Sequence, residues 1–352
     1  MPALELADIP VQRLDEPEIV DRLVEASSTV GFVQLVGFED PSIFDDAFAL
    51  SRDFFSLPDA DKERLATRTW RPENENVYRG YFPAIEGAHA YKEGFEIGNP
   101  DFEPPVEGHP LFEANPYPAA LGPPWRRSLD RYAREMHRLG RRVLAAFEQG
   151  FELPAGKLTG RFANSMSTLR MIHYPQGADP DPARAAESGG HARAAESGGH
   201  ARAAESGGHA RAAESGEPGP ARFATPEHVD SGILTLLLQD DTGGLQVKGP
   251  DGAWLDVVPR ENTLVMNLGA LLETLTGGRL KATEHRVLLP GRSRYSMPFF
   301  FEPSPDAAMT DLFTGRNDVG VPDYEHYLVE QMKVFVEYRD LVERLRAGEV
   351  NA

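Results

Sequence analysis

Thr225-Pro226-Glu227-His228-Val229-Asp230, leading into Ile233-Leu234-Thr235-Leu236-Leu237-Leu238, is the stretch on which the reading of this chain turns. The apolar run marks a buried β-strand, and the residues before it read as the strand's entry. Side chains two apart on a strand share a face, so His228 and Asp230 are placed to hold one ion while Val229 turns away. Two imidazoles and a carboxylate on one triangular face leave three positions of an octahedral metal open, the arrangement of non-haem Fe(II) oxygenases. A second histidine is therefore required. His285 is the best candidate, because Lys281-Ala282-Thr283-Glu284-His285 runs into another apolar segment, Val287 to Leu289.

Nine residues beyond His285, Arg294 and Ser296 again share a strand face. An arginine fork matches a carboxylate with two parallel hydrogen bonds, and a neighbouring hydroxyl adds a third. Such a pair suits the far end of a dicarboxylate whose near end chelates the metal.

A set of further segments accompanies this pattern. They are Ile9-Pro10-Val11, Gly31-Phe32-Val33-Gln34-Leu35, Phe54-Phe55-Ser56-Leu57-Pro58, Arg79-Gly80-Tyr81, Asn115-Pro116-Tyr117-Pro118 and His173-Tyr174-Pro175, then Gly243-Gly244-Leu245-Gln246-Val247, Asn267-Leu268-Gly269 and Phe299-Phe300-Phe301-Glu302-Pro303. With them the chain resembles, over nearly its whole length, the isopenicillin N synthase-like group of Fe(II)/2-oxoglutarate-dependent oxygenases. The resemblance implies a mainly β fold with flanking helices: a double-stranded β-helix (jelly roll) core, an N-terminal helical leader region and a C-terminal helix. It implies Fe(II) held by His228, Asp230 and His285, with 2-oxoglutarate and O2 as co-substrates and succinate as a product. Arg294 and Ser296 would bind the distal carboxylate of 2-oxoglutarate. Tyr174 stands where related enzymes use a tyrosine for the co-substrate or for a substrate acid, with simple packing as the other reading. The carboxylate of Asp230 implies hydroxylation, desaturation or cyclisation, since family halogenases leave that position to chloride. Two departures stand out: Ile172 where plant members carry Asn, and Ala270 where Asp often follows the glycine.

Composition agrees with this class without selecting it. The 352 residues suffice for a large core. A formal charge of -19 argues against nucleic acid or an anionic membrane as partner, since both require clustered positive charge. The absence of cysteine removes disulfides, thiolate metal sites and cysteine nucleophiles. No apolar stretch approaches the roughly 20 residues of a membrane span, and no basic, apolar leader opens the chain, so a cytoplasmic enzyme is expected. Nothing in the sequence sets an oligomeric state.

The expected organisation is an N-terminal leader over residues 1–124, a core with its backing helix over 125–305, and a helical tail over 306–352. Helical spacing fills residues 15–68 around a strand at Gly31 to Val36, and residues 70–124, rich in Pro, Gly and aromatics, read as loops. A long helix is expected from Trp125 to Phe151, short strands from Leu169 to Pro303, and helix again from Tyr324 to Leu345. Within 183–217 the nonapeptide Ala-Arg-Ala-Ala-Glu-Ser-Gly-Gly-His repeats. Nine residues at about 100° each put successive histidines on opposite helix faces, and paired glycines break a helix, so a flexible insertion is expected rather than a metal array.

For the substrate, the loop from Tyr78 to Phe95, with Arg79, Tyr81, Lys92 and Phe95, is the expected lid by analogy with the family; its residues line a pocket or only pack the leader on the core. Strand parity adds Thr168 and Arg170, the latter facing a substrate acid or a structural carboxylate, and extends from Ser296 to Pro298, Phe300 and Glu302. His89, His109, His137 and His326 lack a partner at metal spacing. The implied substrate is a small molecule with an apolar body and one or two polar handles, in specialised metabolism. Two other readings are an iron oxidase or oxidative cyclase of the same fold that does not use 2-oxoglutarate, with Arg294 on a substrate acid, and a non-catalytic binding protein on that fold.

Overall fold

Alternating inward and outward residues along short strands build two facing sheets. The computed structural model describes residues 3–84, 92–175, 223–289, 291–333 and 338–347. The nonapeptide segment and residues 85–91 of the lid loop, His89 among them, lie outside them. The strands are β1 (Ala7–Pro10), β2 (Phe32–Val36), β3 (Tyr81–Phe82), β4 (Glu93–Gly98), β5 (Thr168–Tyr174), β6 (Phe223–His228), β7 (Leu234–Gln239), β8 (Leu245–Lys248), β9 (Trp254–Asp256), β10 (Leu264–Leu268), β11 (His285–Leu288) and β12 (Arg294–Phe301). They form a large sheet ordered β1-β2-β10-β7-β12-β5-β4-β3 and a small sheet ordered β6-β11-β8-β9. This sheet-on-sheet core is the expected jelly roll.

The helices are α1 (Pro17–Thr29), α2 (Ser42–Phe55), α3 (Asp59–Glu63), α4 (Gly122–Gly150), α5 (Ala270–Leu275), α6 (Tyr324–Met332) and α7 (Arg339–Ala347). Helix α4 is the long helix read from the sequence. Proline occupies its first turn, where a missing N–H costs nothing, and Leu129, Tyr132, Met136, Leu139, Val143, Leu144 and Phe147 form its buried stripe. That stripe, with α1 and α2, covers the outer face of the large sheet, where Leu236, Phe299 and Phe301 belong to the main core. The inner face meets the small sheet through a second apolar cluster of Phe32, Ile172, Tyr174, Ala224, Leu245, Val247, Val257, Val265 and Val287.

Residues 70–124 depart from the loop reading. Strand β4 lies within them, in antiparallel register with β5 from Glu93 opposite His173 to Gly98 opposite Thr168. Its phase hides it: Gly94, Glu96 and Gly98 take the inner side, so small and charged residues alternate with Phe95 and Ile97. The tail is helical as read, at α6 and α7.

The leader is fastened to the sheet by a buried ionic knot. Glu93 accepts hydrogen bonds from Lys62 Nζ on α3 (2.9 Å), Tyr81 Oη (2.7 Å) and His173 Nδ1 (2.8 Å), and His173 stacks on Tyr295 with ring centres 4.6 Å apart. Burial alone would raise the Glu93 carboxyl, but these three donors hold it below its usual range. Removing one partner of a buried pair leaves an uncompensated charge, at a cost of about 3–5 kcal/mol. Glu93→Ala is expected to lose stability of that order in urea unfolding. Lys62→Met leaves the buried Glu93 anion with Tyr81 and His173 but without its lysine and should lose stability of the same order.

Candidate metal centre

The last residue of β6 and the first of β11 face each other: His228 and His285 are cross-strand partners, with ring centres 4.1 Å apart. Asp230 is not on a strand. It sits two residues past the end of β6, where the chain crosses from the small sheet to β7 of the large one. The strand-face argument for His228 and Asp230 therefore gives way to a sheet-to-sheet crossing that swings the carboxylate under both rings.

Hydrogen bonds decide which atoms remain for a metal. His228 Nδ1 donates to the Pro226 carbonyl at 2.8 Å, and His285 Nδ1 to the Thr283 carbonyl at 3.1 Å. A carbonyl only accepts, so both Nδ1 atoms carry a proton and are occupied, and Nε2 is the nitrogen left to each ring for a metal. Asp230 Oδ2 accepts from Thr235 Oγ1 at 2.6 Å and Asn267 Nδ2 at 2.7 Å. Its Oδ1 is left 3.6 Å from His228 Nε2 and 3.7 Å from His285 Nε2. One ligand atom from each residue lies within 4.8 Å of the others, the one such group among the described residues. Burial and the adjacent His228 lower the His285 imidazole to about 4, the neutral form a metal needs. Burial works against the Asp230 carboxylate, but the two imidazoles and Thr235 keep it well below the usual range. Two imidazole nitrogens, one carboxylate oxygen and an open side fit Fe(II).

Thr235 and Asn267 were not read as functional. They are cross-strand partners on β7 and β10, and the signal was that Thr is the one polar residue in Ile233–Leu238. Asn267 and Leu268 end β10, Gly269 leads into α5, and the Asn267 side chain anchors the acid. Gly269 is required there, since a Cβ would lie 2.2 Å from the Gly232 carbonyl oxygen. That close approach lets Ala270 N donate to the Asp230 carbonyl at 2.7 Å.

Across the same cavity, β12 presents Arg294, Ser296, Pro298 and Phe300, with Ile172 and Tyr174 from β5 and Leu237 from β7. Arg294 is fully buried. Its Nε donates to the Gly243 carbonyl at 2.9 Å, its Nη1 to Ser296 Oγ at 3.2 Å, and its guanidinium carbon lies 4.8 Å from the Tyr174 ring centre. Burial opposes ionisation of the Tyr174 phenol, but Arg294 and Lys92 together lower it below its usual value. Lys92 Nζ itself donates to Thr225 Oγ1 at 3.1 Å.

The residues read as a substrate lid divide. Phe95 is on the outer side of β4 and stacks on Phe54 at 4.2 Å, and Tyr81 is bound to Glu93, so both pack the leader on the core. Arg79 lies on the inner side, donating to the Met166 carbonyl at 3.0 Å and Thr168 Oγ1 at 3.2 Å. Gly98 makes room for it, since a Cβ there would meet Arg79 Nη1 at 2.1 Å. Arg170 is paired with a structural carboxylate, Glu96. Glu302 follows the end of β12, buried beside Gly232. His109 pairs with Glu325 at 3.2 Å, His137 packs on Phe301, and His326 binds Asp323 at 2.7 Å.

Burial pushes the Glu302 carboxyl up to about 7, against the pull of Tyr324 and Arg79. The folded chain thus keeps a proton that the unfolded chain releases near 4.5. Stability contributed by this site is full below that value and is lost as pH rises toward 7. Chemical denaturation of wild type and Glu302→Gln across this interval should show a decline larger by a few kcal/mol, on the order of one per pH unit, in wild type than in the variant.

The comparisons with known proteins agree with this geometry. The profile of the 2OG-Fe(II) oxygenase superfamily matches residues 165–303, and that of the N-terminal region of the non-haem dioxygenase in morphine synthesis matches residues 1–120. The 2-oxoglutarate-dependent dioxygenase citB of Monascus ruber is 29% identical over 314 residues, covering 84% of this chain and 82% of that protein. Clavatol oxidase claD of Penicillium crustosum is 28% identical, covering 86% and 84%. A full-length protein of Neurospora crassa, solved in complex with alpha-KG, superposes with a TM-score of 0.70 at 25% identity, over 94% of this chain and 97% of that one. Among the described residues no helix is long and apolar enough to cross a membrane. With both profiles spanning leader and core, the chain belongs to the 2OG-Fe(II) oxygenase superfamily and is a non-haem iron, 2-oxoglutarate-dependent oxygenase.

Proposed function

We propose that His228, Asp230 and His285 hold the Fe(II), that Arg294 and Ser296 with Tyr174 bind 2-oxoglutarate, and that the chain hydroxylates, desaturates or cyclises a small molecule seated between Phe300 and the metal. The observation that carries this reading is the hydrogen bonding at the triad, which turns three ligand atoms toward one point and occupies the other three. Bound iron with 2-oxoglutarate supplies the oxidising chemistry, in which O2 is consumed and the oxo acid is split to succinate and carbon dioxide.

The chain's own residues bind, orient and exclude water. The Pro226 and Thr283 carbonyls fix both imidazoles, while Thr235 and Asn267 hold the carboxylate in one rotamer. Arg294, immobilised before any ligand arrives, gives a planar fork to a carboxylate, and the Tyr174 phenol faces the same place. Phe32, Leu237, Leu245, Pro298 and Phe300 keep the cavity dry. A small-molecule substrate agrees with the similarity to citB and clavatol oxidase.

Anaerobic Fe(II) titration, with and without 2-oxoglutarate, tests the reading. One iron per chain and a weak visible metal-to-ligand band that needs the oxo acid are expected. Iron bound with no such band would remove 2-oxoglutarate from Arg294, and no iron bound would remove the metal centre.

A further inference from the structure

Beyond Phe300 the inner face of the large sheet continues across β5 and β4, and there it turns polar. Arg170 lies between the pairs Ser296–Ile172 and Phe300–Thr168, and Glu96 stands opposite it on β4. Strand parity puts both on the side that carries Arg294, Ser296 and Phe300. The Arg170 guanidinium carbon is 5.8 Å from the Phe300 ring centre and 5.4 Å from that of Phe82, and its Nη2 is 3.3 Å from Tyr338 Oη. Tyr338, just ahead of α7, therefore closes this corner from the tail.

The corner is incompletely satisfied. Glu96 is 1% exposed, and its Oε1 takes the guanidinium of Arg170, yet its Oε2 has no hydrogen-bond partner among the described residues. Arg79, 3% exposed on the same inner side, has an Nε without a partner among those residues. A buried carboxylate oxygen left unpaired is costly, so a ligand that completes it gains affinity.

We propose that this corner is the polar subsite of the substrate: Glu96 Oε2 accepts a hydrogen bond from an uncharged N–H or O–H on a flat molecule whose ring lies against Phe300, facing the metal. The proposal rests on the reading that iron and 2-oxoglutarate occupy the centre. Charge disfavours the alternatives. Arg170 is already engaged by Glu96, and Arg79 Nη2 by Met166 and Thr168, so a substrate carboxylate placed at the open oxygen would face the Glu96 anion directly. A substrate ammonium would sit beside the guanidinium groups of Arg170 and Arg79. A neutral amide, lactam or phenol satisfies the free oxygen without adding charge to a dry site.

Benzamide, benzoate and benzylamine carry the three charge types on one ring. Their binding is measured by calorimetry on the full chain loaded anaerobically with Fe(II) and 2-oxoglutarate, and the visible band is read on the same samples. Benzamide is expected to bind about tenfold more tightly than either charged probe, equivalent to about 1.4 kcal/mol. In Glu96→Gln, where an amide donor replaces the free acceptor, that preference should vanish while the band persists. The wild-type comparison stands whether or not the variant folds. With the band present, equal binding of either charged probe, binding of none of the three, or an unchanged preference in a folded Glu96→Gln overturns the subsite. Absence of the band overturns the reading of the centre itself.

Discussion

Asp230→Asn is expected to fold as well as wild type but to take up iron at least about a hundredfold more weakly, with 2-oxoglutarate-dependent succinate release at background. The argument is one of donors and acceptors. Oδ2 of Asp230 accepts from both Thr235 and Asn267, so an asparagine must place its carbonyl oxygen there to avoid leaving two buried donors unpaired. Its NH2 then takes the place of Oδ1, between the lone pairs of His228 Nε2 and His285 Nε2. That amide closes the site with hydrogen bonds in place of a metal. Loss of hydrogen bonds around a ligand already costs roughly 10–100-fold in metal affinity, and loss of the ligand itself costs more. Asp230→Ala should bind iron as poorly but unfold more easily, because it abandons the two donors. The check is metal affinity and thermal unfolding measured together on both variants. Strong iron binding by Asp230→Asn would mean that the carboxylate is not a ligand.

Arg294→Lys is the second large effect, and it falls on the co-substrate alone. The guanidinium is fixed by the Gly243 carbonyl, Ser296 Oγ, Gln239 Oε1 at 3.4 Å and the Tyr174 ring. A lysine keeps the charge but loses the planar fork and cannot reach this set of acceptors at once. Truncating one partner of a buried, hydrogen-bonded charge pair costs about 2–5 kcal/mol. The dissociation constant for 2-oxoglutarate should rise on the order of 30-fold or more, with iron affinity unchanged. If both affinities fall together, Arg294 supports the sheet rather than the ligand. If neither changes, the oxo acid binds elsewhere.

The parts of the site that were legible in the sequence are those where chemistry and strand period coincide. Arg294 and Ser296 lie on one face of β12 because both are within a regular strand, as the spacing implied. His228 and Asp230 come together for another reason, the crossing between sheets, which spacing does not encode. Thr235 left a faint sign as the one polar residue of an apolar run, but Asn267 was hidden because a strand gives no sign of which polar residue faces an acid 37 positions away. For Phe95 and Tyr81 the choice between lining a pocket and packing the leader stayed open, because a stretch rich in glycine and charge resembles a loop and parity cannot be counted along a strand that has not been seen. The jelly roll itself was legible, since many short apolar runs divided by turn residues leave few other ways to bury them.

Strand β4 has two independent sides. Glu93, Phe95 and Ile97 face the leader, while Gly94 and Glu96 take the inner side of the sheet, the side that carries Arg170. Mutations at alternate positions of one six-residue segment therefore fall under separate selection, one set for assembly and the other for choice of molecule. With the subsite proposed at Glu96, a change at position 96 alters the choice of molecule only together with its buried partner Arg170, whereas Gly94 can change alone.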